Sequence, residues 1–249
     1  MEILVTNDDG GEAKGIQVLA KAAEQLGRVT LVAPEREQSA SSHAVTLRDP
    51  LRIREVGERR HLVSGTPTDC VLLSIRGLLD PRPDLVLSGV NHGPNMGDDV
   101  TYSGTVAAAI EAALLGVPAI AFSLSAKAGF HFETPARWIA PIARRLIEAP
   151  TAARTFWNVN FPVPEDRIRG IRATRLGTRI YKDSVVRKTD PRGRDYYWIG
   201  GGEPSWEQVP ETDFHAVQQG YISVTPIRMD LNDYEALRSM EDWKWKERE

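Results

Sequence analysis

The chain has 249 residues, 41% hydrophobic and 26% charged, with 16 Pro and 20 Gly, which excludes collagen-like, low-complexity and disordered classes. Thirty-one Lys and Arg against 34 Asp and Glu give a formal net charge of -3. That balance lacks the basic excess that tracks a nucleic-acid backbone, and it excludes a dedicated DNA or RNA binder.

Glu2 to Thr6 is a short β-rich run opening into Asn7-Asp8-Asp9-Gly10. Gly15 to Leu26 carries Ile16, Leu19, Ala20, Ala23 and Leu26 at helical spacing, and Arg28 to Ala33 reads as a second buried strand stopped by Pro34. These segments make a β-loop-α-β unit whose strands should be parallel. Leu51 to Val56 and His61 to Val63 read as a hairpin, and Thr66 to Leu79 as a helix with Thr66 as cap and Pro67 in its first turn. Asp84 to Leu87 is a third core strand, followed by a long Gly/Asn-rich loop from Ser88 to Ser103. Gly104 to Leu115 reads as a helix and Pro118 to Ser123 as a fourth core strand.

This alternation specifies an α/β fold with a doubly wound, mostly parallel sheet between two helical layers. From about Thr155 the chain turns β-rich at Phe156 to Phe161, Gly170 to Arg175, Tyr196 to Ile199 and Tyr221 to Ile227, with a turn at Asp190 to Arg194. Tyr234 to Lys246 reads as a closing helix. Residues 1–150 are therefore expected to form a core and 151–249 a β-rich extension that reaches a partner subunit. The N-terminus has no basic or long apolar signal region, and Val106 to Leu124 is broken by Glu111, Gly116 and Pro118. A soluble protein with no membrane span is expected. The single cysteine, Cys70, fits a reducing, cytoplasmic compartment.

Ligands of open parallel sheets bind beyond the carboxyl ends of the strands. There the sequence places Asp8 and Asp9, then a Ser-rich loop with Ser39, Ser41 and Ser42, then Asn91, His92 and Asn95. Adjacent carboxylates repel, and a divalent cation is the simplest way to keep both ionised; with Ser and Asn oxygens nearby they suit Mg²⁺ or Mn²⁺. The alternative is that one Asp caps the following helix and the other is solvated. Ser88 to Gly97 holds three glycines, and Ser103-Gly104-Thr105 opens a helix whose free N–H groups favour a phosphate. Its alternative is a long turn with Ser103 or Thr105 as N-cap.

The five histidines form no zinc cluster, and no Gly-x-Ser-x-Gly elbow is present. A non-catalytic, Mg²⁺-binding receiver-like module needs a phosphoacceptor Asp after the third core strand, where the chain has Ser88-Gly-Val-Asn91. A zinc deacetylase needs a His before the acidic pair, where Thr6-Asn7 stands, and a haloacid-dehalogenase phosphatase needs Asp-x-Asp.

Several ordered motifs run nearly the whole length: LVTNDDG from Leu4, GTPTDCV from Gly65, SGVNHGPNMGDDVTYSGTVAAAIEAALLGVPAIAFS from Ser88, DPRGRDYYWIGG from Asp190 and TDFHAVQQGYISVTPI from Thr212. By these the chain resembles the SurE family of survival-protein nucleotidases. The resemblance implies a Rossmann-like core, a β-rich extension that builds homodimers or homotetramers, and metal-dependent hydrolysis of nucleoside 5′- or 3′-monophosphates. It implies one divalent cation per subunit on Asp8, Asp9, Ser39 and Asn91, with Asp8 also catalytic. The phosphate is then expected at Asn95, Ser103, Gly104 and Thr105. Lys14 departs from the family, which has Pro there.

Overall fold

The computed structural model of the chain describes residues 1–126, 129, 131–163, 168–180, 185–199, 205–240 and 243. In chain order the elements are β1 (Glu2–Thr6), α1 (Lys14–Ala23), β2 (Arg28–Pro34), β3 (Ile53–Gly57), β4 (Arg60–Val63) and α2 (Pro67–Leu73), which runs on through a π-helical turn at Ser74–Leu78. Then come β5 (Leu85–His92), a 3₁₀ turn (Gly97–Thr101), α3 (Gly104–Leu114), β6 (Ala119–Leu124), α4 (Glu133–Ile147) and β7 (Thr155–Phe161). The last part holds β8 (Ile171–Ala173), β9 (Arg179–Ile180), β10 (Val185–Thr189), β11 (Asp195–Ile199), β12 (Ser205–Trp206), α5 (Asp213–Gln218), β13 (Ile222–Arg228) and α6 (Tyr234–Ser239).

Nine strands form one sheet in the order β3-β4-β2-β1-β5-β6-β7-β13-β8. The run from β4 through β7 is parallel, whereas β3 pairs antiparallel with β4 and β13 with β7. This is the expected doubly wound α/β fold. Strands buried on both faces explain the continuous apolar runs: Ile3 and Val5 pack with Ile16, Leu19, Ile139 and Ile142 on one side, and Leu4 with Val71, Val106 and Ala109 on the other. Helices α1 and α4 thus cover one face and α2 and α3 the other. Crossing residue 150, the sheet continues through β7 and β13.

Three differences from the sequence expectation matter for the site. β5 does not stop at Leu87 but runs to His92, pairing Asn91 with Ser123 and His92 with Leu124 after an irregularity at Ser88/Asn91. The Gly-rich loop therefore begins at Gly93. Helix α4 was not among the expected elements; Pro141 sits inside it, and the apolar stripe Ile139, Ile142 and Ala143, buried in the core, outweighs the lost N–H. Short α5 was also not expected; Thr212 caps it. The closing helix is described only as Tyr234–Ser239, and most of its expected continuation lies outside the described residues.

Candidate functional site

The carboxyl end of β1 delivers Asn7, Asp8 and Asp9 to the rim. The Asn7 side chain closes the turn, its Nδ2 donating to the Gly10 carbonyl at 3.0 Å. Gly10 itself adopts φ +93°, a conformation that favours glycine. Helix α1 starts after Ala13 with no side-chain cap, so neither Asp is spent as its N-cap.

Asp8 is almost fully buried. The Thr105 hydroxyl donates to its Oδ1, and the backbone amides of Gly104 and Thr105 favour its ionised form. The first turn of α3 therefore points its partial positive charge at Asp8. Burial pushes the Asp8 carboxyl above its usual range, and these hydrogen bonds pull the other way. That approach requires glycine at 104: a Cβ there meets Asp8 Cβ at 2.7 Å and Ser41 Oγ at 2.9 Å.

Asp9 is half-buried, and its Oδ2 accepts from the His92 backbone N–H at 3.2 Å while Oδ1 lies 3.5 Å from His92 Nδ1. Burial first, then the negative charge of Asp8, pushes its pKa up to about 7, with Glu37 adding to the rise and the His92 N–H opposing it. Burial pushes the His92 imidazole down, against the charges of Asp8 and Glu37. The His92 ring lies 5.4 Å from that of Phe132.

Asn91 comes into the cluster because β5 reaches that far. Its Oδ1 lies 3.3 Å from the Thr105 hydroxyl, and its Nδ2 donates to the Gly93 carbonyl at 2.9 Å. Thr105 thus stands between Asp8 and Asn91. The Ser-rich loop is strapped to the same corner by the Gln38 N–H, which donates to the Asp8 carbonyl at 2.7 Å. Ser39, next in the chain, is exposed and donates to Glu37 Oε1 at 2.7 Å. Further anchors are Ser42 Oγ on the Thr101 carbonyl at 2.7 Å, His43 Nε2 against Glu111 Oε2 at 2.9 Å, and Thr46 on Asp69.

Ser103 is the N-cap of α3, accepting from the Val106 N–H at 3.1 Å, so the capping alternative describes its hydroxyl. The backbone amides of Gly104 and Thr105 act on the Asp8 carboxyl, lowering its pKa. Asn95 is held by a second set of residues. Its contacts run to Ser123 on β6 and to Asn158 and Asn160 on β7, and Asp213 of α5 accepts from the nearby Gly97 N–H at 2.8 Å. These four supporting residues were missed in the sequence. The available signal was polar residues closing otherwise apolar parallel strands, AIAFS and NVN, at the ligand-binding ends. Among the described residues no group of three or more His, Cys, Asp or Glu could hold a metal ion.

A family model described as "Survival protein SurE" matches residues 3–183. A protein named "5'-nucleotidase SurE" from Gemmatimonas aurantiaca is 54% identical, covering 99% of this chain and 100% of that one. Another of the same name from Geobacter sulfurreducens is 51% identical over 98% of this chain and 94% of its own. The crystal structure of the SurE protein from Aquifex aeolicus superposes with a TM-score of 0.87 at 42% identity, covering 97% of this chain and 98% of that one.

Proposed function

The chain belongs to the survival protein SurE family, and from that membership we propose that it is a 5′-nucleotidase, a metal-dependent phosphatase that releases phosphate from nucleoside 5′-monophosphates. The observation that carries this is the Asp8–Asp9 pair, Asp8 buried and Asp9 half-buried, where burial first and then the negative charges of Asp8 and Glu37 push Asp9 up to about 7. A cation relieves that strain.

The donor set fits a hard divalent ion such as Mg²⁺ or Mn²⁺. Two carboxylates plus neutral Asn and Ser oxygens, without a third acidic or imidazole ligand among the described residues, suit an ion that keeps part of its water shell. Asp8, Asp9, Asn91 and Ser39 would hold it. When bound, such an ion polarises a phosphoryl oxygen and lowers the pKa of water. The protein's own part is positional. Thr105 and the α3 amides fix the Asp8 carboxylate, which orients the attacking water and accepts its proton as oxygen adds to phosphorus. The bond from phosphorus to the ester oxygen breaks, and that oxygen leaves as the nucleoside hydroxyl, taking up the proton Asp8 has accepted. The Asn95 carboxamide holds the phosphoryl oxygens, and the positive end of α3 at Ser103, Gly104 and Thr105 favours the negative charge that spreads over them.

Residues 1–150 are the metal- and phosphate-binding core in this scheme, and 151–249 serve self-association into a homodimer or homotetramer. Hairpin β10–β11 supports that role, since Val185, Tyr197, Trp198 and Ile199 are all exposed on two strands paired with each other outside the main sheet. No helix among the described residues is long and apolar enough to cross a membrane. A lone buried Cys70 fits the cytoplasm.

The test is phosphate release from a panel of nucleoside 5′- and 3′-monophosphates with Mn²⁺ or Mg²⁺ present. Release from the 5′-esters is expected. Nucleotide binding without release from any ester would move the protein to a non-catalytic binding module.

A further inference from the structure

Asn95 is gripped on every side by buried residues that follow it in the chain by 28 to 65 positions. Its backbone N–H donates to Asn160 Oδ1 at 2.9 Å. Its carbonyl accepts from Asn158 Nδ2 at 2.8 Å and from Asn160 Nδ2 at 2.9 Å, which uses both lone pairs. Its side-chain Nδ2 donates to Ser123 Oγ at 2.8 Å, leaving one N–H of the carboxamide uncommitted to that contact. Ser123, Asn158 and Asn160 are each 0% exposed, and Ser123 and Asn160 are register partners at the ends of β6 and β7.

Two carboxamides and a hydroxyl in a strand end that could be apolar carry a desolvation cost that only specific partners offset. The partner here is the middle residue of a short loop pinned at its ends by Asn91 on the Gly93 carbonyl and by Asp213 on the Gly97 N–H. Gly93 at φ +130° and Gly97 at φ +54° flank Pro94-Asn95-Met96, and glycine loses the most backbone freedom on ordering. Between those pins, the grip is what fixes the main chain at Asn95 and the rotamer of its carboxamide.

We propose that Ser123, Asn158 and Asn160 are positioning residues that aim the Asn95 carboxamide at the phosphoryl group, Ser123 setting its rotamer and the two asparagines its main chain. This rests on the reading that Asn95 contacts the phosphoryl group. It makes the ends of β6 and β7 part of the substrate-holding apparatus, acting through Asn95.

The experiment is a double-mutant cycle with Ser123→Ala and Asn95→Ala, measuring kcat and KM for a nucleoside 5′-monophosphate and the inhibition constant of inorganic phosphate. Ser123→Ala should raise KM and the phosphate inhibition constant about tenfold, the scale of one lost orienting hydrogen bond, with a smaller change in kcat. In the Asn95→Ala background the same substitution should be silent. A merely structural serine would instead lower the unfolding temperature and leave phosphate affinity per folded molecule unchanged in both backgrounds; that result overturns the proposal, as does an equal loss in both. Asn160→Asp keeps the acceptor for the Asn95 N–H and replaces the donor to its carbonyl, so it should weaken phosphate inhibition at least as much. If that variant does not fold, the Ser123 cycle decides alone. A wild-type protein that neither releases phosphate nor is affected by it contradicts the nucleotidase reading itself, a result distinct from an active wild type with a silent Ser123→Ala.

Discussion

Asp8 is held entirely from within the first 105 residues, by its own turn, by the Gln38 strap and by the opening turn of α3. Asn95 is held by elements that follow it in the chain, through contacts to residues 28, 63 and 65 positions on, and neighbouring Gly97 through one 116 positions on. The first region assembles once β1, β2, β5 and α3 have come together. The second exists only when β6, β7 and α5 have docked. The chemistry therefore rests on the first region, while the aim of Asn95 at substrate rests on the second, and changes in each should show in different kinetic constants.

The largest expected effect is at the first region. Asp8→Asn removes the proton acceptor and a carboxylate of the cation site, and turnover should fall by about a thousandfold or more while the fold persists. Thermal unfolding beside the rate measurement checks both halves. Gly104→Ala comes next: its Cβ would lie 2.7 Å from Asp8 Cβ, so Asp8 must shift. A displacement of that kind should cost about a hundredfold in kcat, and a rate near wild type would show that the tight approach is not needed.

A pH experiment sharpens the comparison without touching the second region. With Asp9 raised from 3.8 to about 7 in the folded, metal-free protein, its protonated form contributes stability that is full below 3.8 and lost as pH rises through about 7. The unfolding temperature of chelated protein should therefore decline between pH 5 and pH 8, and Asp9→Asn should flatten the decline. A slope unchanged in the variant would assign it to other groups. Smallest is Ser103→Ala, which removes the α3 cap and should cost about 1 kcal/mol of stability with a KM increase of a few-fold.

The same contrast explains what was legible in the sequence. Asp8, Asp9 and Asn91 could be singled out because acids and amides directly following apolar strands fall on the rim of a parallel sheet. Ser103 and Thr105 open a helix, which the small-residue run from Gly104 announces. The extent of β5 was hidden, since Gly89, Asn91 and His92 read as loop, yet their pairing with β6 carries Asn91 to Thr105. Asn158 and Asn160 could be placed on a strand, but nothing local says that their side chains close on Asn95. Such pairings are settled by sheet order, and sheet order comes from packing of the whole core. Helix α4 holds Pro141 on the same terms: burial overrides a local breaker.

The most direct test of the account is the rate of phosphate release from a nucleoside 5′-monophosphate by the wild-type protein as purified, after EDTA, and after Mn²⁺ or Mg²⁺ is restored. The paired acids predict that chelation abolishes release and that the divalent ion brings it back. Release that continues undiminished in excess EDTA would contradict a cation at Asp8 and Asp9, and with it the division of labour between the two regions.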